Sequence, residues 1–204
     1  MSRRTRTSAR YRVAVAILVV LVLVVTGGLL WQLWWVPRQV SATADQAASD
    51  YLAACSLGSG ADDIGLLQLP GASTMWPIRS GVDDDAMAAG VGWYPQTALP
   101  GQPGNMALVG RRLIVGGAFD GILNLNAGDS VTVETCDTVY TYTVVVAPRD
   151  LTVQPEDTWV LDPVPGSSGV MPTTAWLTLI ANQDVLPSSD RAVGFASLTN
   201  SQPR

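Results

Sequence analysis

A run of 24 residues without a charged side chain, VAVAILVVLVLVVTGGLLWQLWWV at positions 13–36, constrains this chain more than any other feature. As an α-helix it is long enough to cross the ~30 Å hydrocarbon layer, and it exceeds the ~7–15 apolar residues of a cleaved secretory signal. Arg3, Arg4, Arg6, Arg10 and Arg12 precede it, and the next cation is Arg38 alone. The positive-inside bias therefore predicts a cytoplasmic N-terminus and an exterior location for everything after Pro37. Trp31, Trp34 and Trp35 cluster at the far end, where indole rings favour the membrane interface. The expected organisation is a basic tail over 1–12, a transmembrane helix over 13–36, a partly helical juxtamembrane linker over 37–63 and an exterior domain over 64–200.

The 204 residues suffice for one domain of ordinary size beside that helix. All 12 basic residues are arginine, and histidine and lysine are absent. Serine-histidine and cysteine-histidine dyads, lysine Schiff bases and histidine metal sites are thereby excluded, and neither a metal nor a cofactor is expected. The exterior part carries 17 acidic residues against 12 − 5 = 7 arginines, a net charge of −10. Nucleic acid is a poor partner for such a surface. Asp83-Asp84-Asp85 lacks the alternating ligands of a calcium loop and reads as a helix start before Ala86-Met87-Ala88-Ala89.

Leu52-Ala53-Ala54-Cys55 spells a lipoprotein cleavage box, but a polar stretch separates it from the apolar run, so residues 40–56 read as a plain alanine-rich helix. The only other cysteine is Cys136. An exterior location permits a Cys55–Cys136 disulfide, while the sequence leaves its geometry open.

Beyond residue 64 short β-branched or alternating runs stand between glycine and proline punctuation, which predicts an all-β barrel or sandwich. The candidate strands are 64–69, 106–109, 130–135, 139–147, 175–181 and 191–198. In 139–147 Tyr140 and Tyr142 share one face and Thr141 and Thr143 the other. Cys136-Asp137-Thr138 is the expected hairpin turn, and the proline-rich segment 148–172 reads as a long loop.

Three stretches together resemble the sortases, membrane-anchored cysteine transpeptidases of Gram-positive bacteria, and most nearly their actinobacterial class E. The first is 92–110, GWYPQTALPGQPGNMALVG, similar to the family's tyrosine-proline, TALPG and GN run. The second comprises Phe119 to Leu123, Leu125 and Gly128-Asp129 to Val133, similar to the family's LxxGD turn and following strand. The third is Leu177-Thr178-Leu179 followed by Arg191-Ala192-Val193. The resemblance covers roughly 64–198 and implies a closed eight-stranded β-barrel with short helices, carried by one N-terminal transmembrane helix.

A sortase uses a cysteine thiolate as nucleophile, a histidine as proton donor and an arginine for the oxyanion or the substrate. The resemblance places the histidine position at Arg111 and the cysteine position of the LTLTTC pattern at Asn182, and it carries the arginine over as Arg191. Arginine keeps its proton with a pKa above ~12, and a carboxamide forms no acyl-enzyme. The expectation from these two positions is a chain that is not an enzyme. It would act instead by binding a sorting-signal peptide of LPxTG or LAxTG type, or a cell-envelope protein such as a pilin or a true sortase.

The expected ligand-binding residues are Arg111, Asn182, Arg191, Trp93 and Tyr94. Arg112 is a possible third cation for a peptide carboxylate, Trp159 and Trp176 are possible groove walls, and Trp176 suits strand packing better. Two other readings stay open. In one the chain is an active transpeptidase or hydrolase with another nucleophile, for which Cys136 or the pair Asp184 and Asp190 are the poor candidates. In the other the barrel is a structural envelope module.

Overall fold

The computed structural model describes residues 4–58, 63–88, 90–112, 117–184 and 188–204. Arg3, part of the expected linker and Ala89 lie outside the described residues. One helix, α1 (Arg4–Leu57), runs from the basic tail through Pro37. Its stretch Tyr11–Trp31 is long and apolar enough to cross a membrane, and none of it is buried against the protein. A helix is what such a sequence must form in lipid, because every backbone polar group is then satisfied within the segment. Trp31 stacks on Trp35 with ring centroids 5.4 Å apart. The helix ends at Gly58, whose φ of 63° suits the residue that closes a helix.

Beyond the span, α1 becomes part of the domain. Val40, Ala44, Ala48, Tyr51 and Cys55 recur at spacings of three and four, so they share one face. That face packs on the strands: Ala44 is fully buried in the main core, and Ala48 and Tyr51 close on Leu66. Cys55 is bonded to Cys136, with Cα atoms 5.1 Å apart.

The strands are β1 (Gly65–Gln68), β2 (Trp76–Ser80), β3 (Val91–Trp93), β4 (Gly104–Val109), β5 (Ser130–Glu134), β6 (Thr138–Val146), β7 (Thr152–Val153), β8 (Ala175–Asn182) and β9 (Arg191–Pro203). Their order is β6-β5-β1-β2-β3-β4-β8-β9, and β9 returns to β6, so eight strands close into a barrel with β7 added on β9 outside the ring. The pairs β2/β3 and β4/β8 are parallel. Alternation along β8 sends Leu177, Leu179 and Ala181 into the barrel interior with Met106, Leu108, Val131 and Val133. Tyr142 is buried there as well, and its hydroxyl accepts the Gly101 N–H at 2.8 Å.

Three details differ from the sequence-based expectation. Asp83 does cap the chain, with its Oδ1 accepting the Ala86 N–H at 2.8 Å, but the residues after it make a single turn and no regular helix. Segment 148–172 is not entirely loop, since it holds β7 and a 3₁₀ turn over Thr158–Leu161. Strand β9 runs on to Pro203, because its polar tail pairs with β6 from Thr138↔Pro203 inward.

Candidate functional site

The outer face of the barrel carries a second, smaller core. Val153, Val160, Ile180, Val193 and Phe195 form it, with Tyr94, Val109, Leu151, Trp159 and Leu161 packed around them. The chain that leaves β6 crosses back over β4, β8 and β9 and supplies the covering side chains. A buried polar pair fixes it there. Asn105 donates from Nδ2 to the Val160 carbonyl at 2.8 Å, and the Thr178 hydroxyl donates to Asn105 Oδ1 at 2.6 Å. Both side chains are buried, so each hydrogen bond satisfies a group that water cannot reach.

Between this covering segment and the strands lies a cleft of about 260 Å³. Tyr94, Val109 and Ile180 line one side, Gln154, Thr158 and Leu161 the other, and Arg191 stands at its edge. Burial pushes the Tyr94 phenol above its ordinary pKa, and the nearby Arg191 guanidinium opposes that shift. The slot is apolar along Tyr94, Val109 and Ile180 and carries one cation, Arg191, and one carboxylate, Asp157, whose Oδ2 accepts the Gln154 N–H at 2.8 Å. Arg191 itself is steadied by Nη1 hydrogen bonds to the carbonyls of Ser188 and Asp190, at 3.2 and 3.0 Å.

The expected site residues divide between this cleft and its surroundings. Tyr94 and Arg191 line it together. Asn182 is the cross-strand partner of Arg191, at the end of β8. Arg111 turns the other way and pairs with Asp84, Nη2 to Oδ1 2.6 Å. Trp93 also points away: it packs on the barrel interior and donates its indole N–H to the Ala98 carbonyl at 3.1 Å. Trp159 lies in the covering segment with its ring 6.0 Å from Phe195. Trp176 is half-buried on the outer face of β8.

Arg112 has a role that its neighbour lacks. Its Nε and Nη2 donate to the carbonyls of Asn182 and Gln183, both at 2.7 Å, and so tie the chain after β4 to the end of β8. Sequence reasoning missed Gln154, Thr158 and Val160. They sit in a stretch without periodicity, and the one signal that bears on them is the buried Asn105, whose partner is 55 residues away. Cys136 is bridged to Cys55 at the β5–β6 turn and lies among the helix contacts, not in the cleft. Asp190 accepts a hydrogen bond from Gln154 Nε2 at 2.6 Å.

Comparison with known proteins agrees with this architecture. The sortase domain family matches residues 67–199. Sortase SrtE1 of Streptomyces coelicolor is 31% identical over 201 residues, covering 89% of this chain; the chain spans 56% of that relative's length. Among solved structures, sortase E from Streptomyces avermitilis superposes with a TM-score of 0.60 at 30% identity, covering 70% of this chain and 91% of that one. Sortase E1 from Streptomyces coelicolor, solved with a tripeptide in the active site, gives 0.61 at 28% identity with the same coverage.

These matches correct one expectation. The proteins that this chain resembles are named sortases, which are enzymes, so the expectation that the chain is not an enzyme does not stand. With its residues 67–199 matched to the sortase domain and its barrel superposing on class E sortases, the chain belongs to the sortase family.

Proposed function

We propose that this chain is a membrane-anchored sortase-type protein whose cleft beside Arg191 engages the sorting-signal peptides of cell-wall proteins. The single observation that supports this most is the convergence of Tyr94, Val109, Ile180 and Arg191 on one slot of about 260 Å³ on the outer face of β4 and β8. The solved relative with a tripeptide in its active site makes a peptide the fitting occupant. Apolar walls would take the side chains, and the guanidinium would take a backbone carbonyl or a developing oxyanion.

The reaction class is that of the family, cleavage and transfer of the signal. On this chain it cannot run through an imidazole, since the sequence has none, nor through a free thiol while Cys55 and Cys136 are joined. Turnover would therefore draw its nucleophile from another group or from water. An exterior location fits two observations: five arginines precede the span, and a disulfide belongs to an oxidising compartment.

The test is incubation of the detergent-solubilised full chain with a fluorogenic sorting-signal peptide, followed by mass spectrometry and by titration. Saturable binding with cleavage or an acyl adduct on the protein is expected. No binding at millimolar peptide would overturn the reading.

A further inference from the structure

The short distance in sequence between the span and the first core residue of the barrel has a geometric consequence. The apolar stretch ends at Trp31, and Val40 already packs on the main core. The 40 − 31 = 9 residue steps between them reach on the order of 30 Å even when fully extended. In α1 they are helical, and Val40 lies roughly 8 Å along the axis from Trp35, at 1.5 Å per residue. Ala44 is fully buried in the barrel core, so no flexible spacer intervenes.

The contacts of Val40 identify the end of the barrel that is held down. It lines a small cavity together with Met87, Ala88, Arg111 and Ala118. Cys55 is roughly 30 Å further along the helix from Trp35, and its bridge to Cys136 fixes the β5–β6 turn at the opposite end. Arg111 comes directly after β4, and Arg112 binds the carbonyls at the end of β8, so the end that holds Arg111 is also the end that carries Asn182 and Arg191.

We propose that the Arg111 end of the barrel is a surface apposed to the bilayer, and that the fusion of α1 with the barrel core holds the Arg191 side of the cleft toward the lipid headgroups. The occupant of this surface is the headgroup layer on the C-terminal side of the span. The surface lies against lipid without inserting: Asp83, Asp84 and Asp85 are exposed beside it, and Val82 is the one large apolar side chain exposed in that turn. Such a surface is compatible with a zwitterionic leaflet. This placement holds whether or not the cleft takes a sorting signal, because it rests on the chain between Trp31 and Cys55.

The experiment uses the full chain in phosphatidylcholine nanodiscs that carry a nitroxide on the lipid headgroup. A fluorophore is attached at Ala88→Cys, near Val40, or at Gln202→Cys, which pairs with Val139 near the β5–β6 turn. Both positions are exposed, and Val82→Cys serves as a second proximal probe. Quenching several-fold stronger at 88 and 82 than at 202 is expected. Equal quenching at both ends, stronger quenching at 202, or none at 82 and 88 would overturn the proposal, and none of these results depends on peptide binding.

Discussion

The Thr178 hydroxyl donates to Asn105 Oδ1 at 2.6 Å, in a place where both side chains are buried and Asn105 in turn holds the Val160 carbonyl. This pair joins β8 and β4 to the segment that walls the cleft. Thr178→Val keeps the shape and removes the donor, leaving Asn105 short of a partner. The expected cost is about 1–3 kcal/mol. For a chain of this size that corresponds to a fall in Tm of about 2–4 °C per kcal/mol, measured by thermal unfolding. Amide exchange over 158–161 is expected to rise as well.

The Cys55–Cys136 bridge closes 81 residues of sequence and ties the anchor helix to the β5–β6 turn. In the chain-entropy account a loop of that length is stabilised by about 4–5 kcal/mol relative to the open chain. The double variant Cys55→Ser, Cys136→Ser is expected to unfold at lower urea concentration than the oxidised parent, and reductant should shift the parent alone.

Gly101 sits at φ 75°, and a Cβ there would overlap the Tyr140 ring. The turn admits no other residue without moving that ring or the backbone. Gly101→Ala is expected to cost about 2 kcal/mol or more, from overpacking and left-handed strain together. Gly128→Ala is the informative comparison, because its φ is also positive but nothing lies within 4 Å of the added carbon. It should show the strain alone.

Burial of Tyr142 raises its phenol pKa from 10.0 to about 12, although the Gly101 N–H acts in the opposite sense by favouring phenolate. Because the folded pKa is the higher one, the unfolded chain loses its proton first. The contribution of this residue is complete below pH 10 and declines as pH rises from 10 to about 12, by about 1.4 kcal/mol per unit. Tyr51 and Tyr94 are shifted upward as well, chiefly by burial, and act in the same direction. Urea midpoints measured across that alkaline range, alongside phenolate absorbance, are the check. Tyr142→Phe should flatten the decline.

The long strands were legible because their alternation is regular: 139–147 and 175–181 lie within one residue of β6 and β8. Strands β2 and β3 escaped for local reasons. Pro77 interrupts WPIRS, and VGW is too short to show a period, so both exist through partners distant in sequence. Tyr94 and Arg191, which the motif positions single out, both line the cleft. The sequence sets Trp93 beside Tyr94, yet Trp93 ends β3 and packs on the barrel interior, while Tyr94, one step past the strand, faces the cleft. Arg111 and Arg112 look equivalent in sequence. Asp84 draws one outward, and the carbonyls at the end of β8 hold the other. The covering segment was illegible because tertiary bonds from Asn105 and Thr178, not its own pattern, determine its path.

The most direct test of the account is a calorimetric titration of the full chain with a sorting-signal peptide, repeated for Arg191→Ala. Saturable binding by the parent is predicted, with affinity falling about 10- to 100-fold in the variant, as expected for loss of one charge-assisted hydrogen bond of about 1.5–3 kcal/mol. Binding unchanged by Arg191→Ala, or none by the parent at millimolar peptide, would contradict it.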